Sequence, residues 1–200
     1  MDAKANMVIS GKYGASENSD SDLLAFFKPL VDRGLNPVSC TTDGNPQVIR
    51  VMRMLWPDIT IQRCLVHIQR QGLMWCRRYP KTAYARKLRE LFVEVTYIRT
   101  KEERDRLIEL IDQWEEEYGQ YIETHPERGR VFSDIKRARS MLLNALPDMF
   151  HYLDNPSIPF STNGLEGYFS RLKSHYRQHR GLSKAKLDNY FSWYFFLRPK

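Results

Sequence analysis

Cysteine is scarce in this chain, with Cys40, Cys64 and Cys76 the only three among 200 residues. So odd and sparse a set excludes a disulfide-stapled secreted scaffold and fits a reducing compartment. Long apolar runs are missing too, since none approaches the roughly 20 residues that cross a bilayer. The opening Met1-Asp2-Ala3-Lys4-Ala5-Asn6 has no apolar stretch of the kind a signal peptide needs. No Gly-rich phosphate loop is found, and nothing repeats internally. A cytoplasmic protein that neither spans nor anchors in a membrane is expected.

What the sequence does contain is enough apolar material for a core: 42% hydrophobic and 12% aromatic residues against 28% charged. The length suits one domain, or one domain carrying an inserted lobe. Lys and Arg number 31 against 24 Asp and Glu, for a net charge of +7, which favours a polyanionic partner. The distribution is more telling than the sum. Residues 62–90 hold eight bases and one acid; residues 101–123 hold three bases and nine acids; residues 162–200 hold eight bases and two acids. Any single block could be a solvated helix face. Two basic blocks flanking an acidic insert point instead to a phosphate-binding groove.

Hydrophobic periodicity divides the chain into an α/β first third and a helical remainder. Met7-Val8-Ile9-Ser10, Pro37 to Thr42 and Ile59 to Gln62 read as strands, separated by a helix with Leu23, Phe27, Leu30 and Val31 on one face and by a second helix over Gln47 to Leu55. Asn45 and Pro46 supply an N-cap and a first helical residue for the second helix. Strand–helix alternation implies parallel pairing with crossover helices. Beyond a helix starting near Cys64, helical spacing recurs over Tyr84 to Val95, Lys101 to Glu123, Val131 to Leu146, Gly164 to His175 and Lys184 to Leu197.

Three sets of residues could carry chemistry. Asp43 stands where a strand ends and its helix begins, the edge of an α/β sheet at which ligands bind. It either makes only the Asp-Gly turn or serves as an oxygen ligand for a hard cation. Glu166 follows Thr162 and Asn163; with Asn163 as N-cap it is a capping-box acid. Yet Ser170, Lys173 and Arg177 continue the same helix face, which would suit a carboxylate holding a metal beside a phosphodiester. Cys64 and His67 sit one turn apart, and a packed thiol beside a hydrogen-bonded imidazole is the sober reading, two ligands being too few for zinc.

Taken together, Thr42-Asp43-Gly44-Asn45, then Gln62-Arg63-Cys64-Leu65-Val66-His67, then Ser161-Thr162-Asn163-Gly164-Leu165-Glu166-Gly167 with Leu172-Lys173 and His179-Arg180-Gly181-Leu182-Ser183, resemble bacterial insertion-sequence transposases of the Mutator-like superfamily. The resemblance spans nearly the whole chain. It implies a truncated RNase H-like α/β core with few parallel strands, a large all-α insertion and C-terminal helices, divided as residues 1–80, 81–155 and 156–200. It further implies an Asp-Asp-Glu triad in which Asp43 is the second Asp and Glu166 the Glu, both binding Mg²⁺ or Mn²⁺. Cys64 and His67 match the family's Cys-x-x-His signature, and Asn163 supports the site.

Arg171, Lys173, Arg177, Arg180 and Lys184 would neutralise phosphates of double-stranded DNA at element ends and target. The implied activity is cleavage and strand transfer in DNA transposition, by a homodimer or higher oligomer at the bacterial nucleoid. No strand candidate supplies the triad's first Asp. The chain is therefore expected to be the C-terminal portion of a longer transposase and inactive by itself, the alternative being a non-catalytic DNA-binding remnant of a decayed gene.

Overall fold

The computed structural model describes residues 1–125, 129–179 and 181–198, apart from the side chains of Val131 and Lys184. Two compact units make up the fold, the first from residues 1–61 and 157–200, the second from residues 62–156.

In the first unit, α1 (Asp20–Asp32) starts where the Ser19 hydroxyl accepts the Asp22 N–H. It stops at Gly34, whose φ of +86° lets the N–H groups of Gly34 and Leu35 turn back onto the carbonyls of Val31 and Leu30. Strand β1 (Ser39–Thr42) leads into α2 (Pro46–Leu55), where the Asn45 side chain accepts from the N–H groups of Gln47 (2.9 Å) and Val48 (3.3 Å). Both the cap and the Pro46 start match the sequence expectation. Strand β2 (Thr60–Arg63) pairs with β1 in parallel, and the division between the units falls inside it. Met52, Trp56, Ile59 and Ile61 form a buried cluster on which Phe27, Val31, Leu35 and Val48 pack. Trp56 satisfies its indole N–H on the Leu35 carbonyl at 2.9 Å.

Among the described residues the sheet has two strands, short of the RNase H-like core that the resemblance implies. The strand expected over Met7–Ser10 is replaced by one antiparallel bridge between Asp2 and Met7. The reason is local: the Asp2 carboxylate accepts the N–H groups of Lys4 and Ala5, and Asn6 takes φ +52°, so the chain turns back on itself instead of running along β1.

The second unit is helical. It comprises α3 (Leu65–Cys76), α4 (Ala83–Glu94), α5 (Lys101–Trp114), a π turn over Glu115–Gly119, α6 (Gln120–Thr124), α7 (Arg130–Ala145) and α8 (His151–Asp154). Thr100 and Glu103 close a full capping box at the start of α5. The single helix expected from Lys101 to Glu123 is interrupted by that π turn, where Arg139 of α7 grips the Glu115 carboxylate with two nitrogens and also pairs with Glu123. A partner more than twenty residues away cannot be read from local periodicity.

Helices α3, α4, α5 and α7 bury Leu65, Ile68, Leu88, Phe92, Leu107, Ile111, Ile135 and Leu142, each contributing about 1.5–3 kcal/mol. The approach of α3 to α4 requires Gly72, because a β-carbon there would meet the Phe92 ring at 2.2 Å.

After α8 the chain re-enters the first unit with α9 (Asn163–Arg177) and α10 (Lys184–Leu197). Tyr168 of α9 is buried against Tyr194 and Phe195 of α10, and Tyr13 stacks on Phe191 at 4.6 Å.

Gln62 is fully buried, donating to the carbonyls of Arg63 and Met149 and accepting the Tyr152 N–H. Its replacement in Gln62→Leu strands these groups and should lower stability by about 3 kcal/mol in urea unfolding; a loss under about 1 kcal/mol would contradict this role. Burial also pushes the Cys76 thiol and the Tyr152 hydroxyl up to about 12, from 9.0 and 10.0. The folded state keeps protons that the unfolded chain releases, so stability is full below about pH 9 and falls as the pH rises towards 12. Urea midpoints should drop between pH 8 and pH 11, and a flat profile would refute the assignment.

Candidate functional site

Asp43 follows the last residue of β1, and its exposed carboxylate is held by the turn it makes. Its Oδ1 accepts the Asn45 N–H at 3.2 Å and the Thr42 hydroxyl at 3.3 Å, while Gly44 takes the left-handed conformation at φ +102°. The turn role is thus real. It also fixes the direction in which the carboxylate leaves the strand end.

Glu166 lies in the first turns of α9. The N-cap position belongs to Thr162, whose carbonyl accepts the Glu166 N–H at 3.0 Å. That places Glu166 one residue beyond the capping-box position, and Asn163 becomes the first helical residue. The Thr162 hydroxyl donates to Glu166 Oε1 at 3.3 Å instead of serving as a backbone cap. The capping-box account of Glu166 is therefore corrected.

Both carboxylates belong to the first unit, and several contacts tie the elements that carry them. The Thr41 hydroxyl of β1 donates to the Pro159 carbonyl, just ahead of α9, at 2.7 Å. Met1 reaches both elements: its amine interacts with the Cys40 thiol of β1, and a β-carbon at Gly164 of α9 would lie 3.6 Å from Met1 Cε. Burial holds that amine below its usual value and pushes the Cys40 thiol up. In kind, two carboxylate donors fit Mg²⁺, a hard ion that takes oxygen ligands. In number they fall short of a triad, for among the described residues no group of three or more His, Cys, Asp or Glu side chains could hold a metal.

On α9, Ser170, Lys173 and Arg177 lie within about 40° of Glu166 around the helix axis, and all three are exposed. Arg171 is off this stripe, its guanidinium 6.0 Å above the Tyr168 ring. Arg180 and the side chain of Lys184 lie outside what the structure describes. Tyr168 and Tyr176 are engaged in aromatic packing, whereas Phe169 is partly exposed. Periodicity missed the exposed rings of Trp193 and Phe196 on α10, because aromatic residues occur on every side of that helix.

Cys64 and His67 belong to the second unit. Cys64 is fully buried at the start of α3, and its Sγ lies 3.2 Å from His67 Nδ1. This is the packed thiol and hydrogen-bonded imidazole expected of the pair.

A strand-end carboxylate, a second acid on a basic helix and a long helical excursion between them suit an enzyme that works on DNA. The chain belongs to the Mutator family of transposases, whose family model matches residues 5–137, more than half of its length. Asp43, Cys64 and His67 lie inside the matched stretch, and Glu166 lies beyond it. No curated protein and no solved structure matches the chain. Among the described residues no helix is long and apolar enough to cross a membrane.

Thr41→Val keeps the side-chain volume but removes the hydroxyl that ties β1 to Pro159. It should cost about 1 kcal/mol in urea unfolding, and an unchanged or raised stability would show that this hydrogen bond does not fasten the two elements.

Proposed function

We propose that this chain is the part of a DNA transposase that carries two of three catalytic carboxylates, Asp43 and Glu166, in a centre that cleaves phosphodiesters and joins strands. The observation that carries the reading is the placement of both acids in one compact unit, on elements linked through Thr41 and Pro159, with Lys173 and Arg177 on the face of Glu166. Mg²⁺, or Mn²⁺, held by these carboxylates would activate the attacking oxygen and stabilise the leaving one. The third carboxylate, the Asp expected on the first strand of an RNase H-like core, would come from chain preceding this sequence. Cys64 and His67 act as structural support.

The substrate is double-stranded DNA, at the element ends and at the target. Lys173 and Arg177 neutralise its phosphates, with Arg171, Arg180 and Lys184 adding to the same field; such contacts fix position without reading sequence, and they weaken steeply with salt. The full-length enzyme acts in the cytoplasm, at the nucleoid, as a homodimer or higher oligomer. A second reading, a DNA-binding remnant without chemistry, draws on the lack of a three-ligand group among the described residues.

In the protein extended by its upstream coding sequence, Asp43→Ala and Glu166→Ala should each lower Mg²⁺-dependent nicking and strand transfer at least about a hundredfold while duplex binding persists, a loss in the range expected when a metal ligand is removed. Nicking that survives both substitutions defeats the catalytic assignment. Nicking without strand transfer would indicate a nuclease of similar chemistry.

A further inference from the structure

Helix α10 has two different faces. Tyr190, Phe191, Tyr194 and Phe195 turn towards the rest of their unit: Tyr194 and Phe195 meet Tyr168, Phe191 stacks on Tyr13, and Tyr190 approaches Tyr176 and His179. At about 100° per residue, Lys186, Asn189, Trp193, Phe196 and Leu197 fall within an arc of about 100° on the other side. All five are exposed, Trp193 at 62% and Phe196 at 75%, and these two rings lie edge to face at 6.0 Å. The packing described above does not require them, since the Tyr168 cluster is served by the opposite face.

The surroundings of the stripe are cationic. Among the described side chains from residue 163 onwards, Arg171, Lys173, Arg177, Lys186 and Arg198 face only two acids, Glu166 and Asp188, and Asp188 lies well round the helix from the stripe. An interface built for an apolar protein partner is depleted in lysine at its centre. Exposed aromatic faces beside lysine and arginine are how single strands are held, with bases stacking on rings and cations following the backbone.

We infer that the outer stripe of α10 binds single-stranded DNA, with unpaired bases stacked on Trp193 and Phe196 and phosphate met by Lys186. From Lys186 to Phe196 the stripe runs about 15 Å along the helix axis. The inference rests on the transposase reading only in taking DNA as the polyanion; it requires neither Asp43 nor Glu166. In a transposition reaction such a stripe would receive bases unpaired at a cleaved end.

Of the four tryptophans, Trp56 and Trp114 are buried and Trp75 is half-buried, so Trp193 is the one most open to a quencher. A short oligothymidylate should quench the intrinsic fluorescence. Trp193→Ala should abolish most of the quenching and weaken oligothymidylate binding about tenfold or more, with a blunt duplex of equal length bound as before. Trp193→Phe, which keeps a ring, should recover much of the affinity, and Asp43→Ala should change none of it.

Unchanged oligothymidylate affinity in Trp193→Ala overturns the inference even if Asp43 and Glu166 prove catalytic. Equal loss on single strand and duplex by both Trp193 variants, with the helical circular dichroism retained, also overturns it. So does self-association that Trp193→Ala abolishes while oligothymidylate never binds, which would assign the stripe to a second copy of the chain.

Discussion

The candidate site depends on one closure: the return of the chain to β1 after the whole helical unit has been built. A hydroxyl on Thr41 and a carbonyl on Pro159, 2.7 Å apart, lie at that closure. Proline has no N–H to give, so its carbonyl is the backbone group through which the residue can be fastened. The entropy of closing so long a loop rises only slowly with length, and a large excursion is therefore tolerated once the two ends have partners. The aromatic stack of Tyr13 on Phe191 and the packing of Tyr168 under α10 supply further partners between the early and late parts of the sequence.

The helical unit is stabilised on its own terms. Its core is conventional apolar burial, but its polar joints are specific: Gln62 answers three backbone groups, Tyr152 donates to the Ile98 carbonyl, Trp114 donates to the Tyr84 carbonyl, and Arg77 meets the buried Asp134 at 2.6 Å. Each joins residues far apart in sequence and removes the penalty of a buried unpaired group. The acidic stretch from Lys101 to Glu123 is more than a solvated surface, since Glu115 and Glu123 are the groups that receive Arg139 across to α7.

Much of this was legible in the sequence wherever the cause was local. Asn45 and Pro46 start α2 as expected, Gly34 ends α1, and Asp43 stands at a strand end because the alternation of apolar and turn residues put it there. The misses share long-range or three-dimensional causes. The Met7–Ser10 stretch had strand-like residues, but the Asp2 turn competes for the same backbone. The π turn answers a distant arginine. Glu166 shifted by one residue relative to its cap because Thr162, not Asn163, opens α9. The outward rings of α10 were hidden in a run of aromatics whose two faces only a neighbouring helix can distinguish. The resemblance correctly led to the family; the triad it implies goes beyond what two strands and two acids display.

The central claim is that Asp43 and Glu166, 123 positions apart, share one divalent cation. Paramagnetic broadening by Mn²⁺, titrated into isotope-labelled protein and followed at the amides of Gly44 and Gly167, tests it most directly. The account predicts that both signals broaden together at the lowest metal concentrations and that Glu166→Gln relieves the broadening at Gly44. Broadening confined to one of the two, or broadening at Gly44 that is indifferent to Glu166, would contradict it.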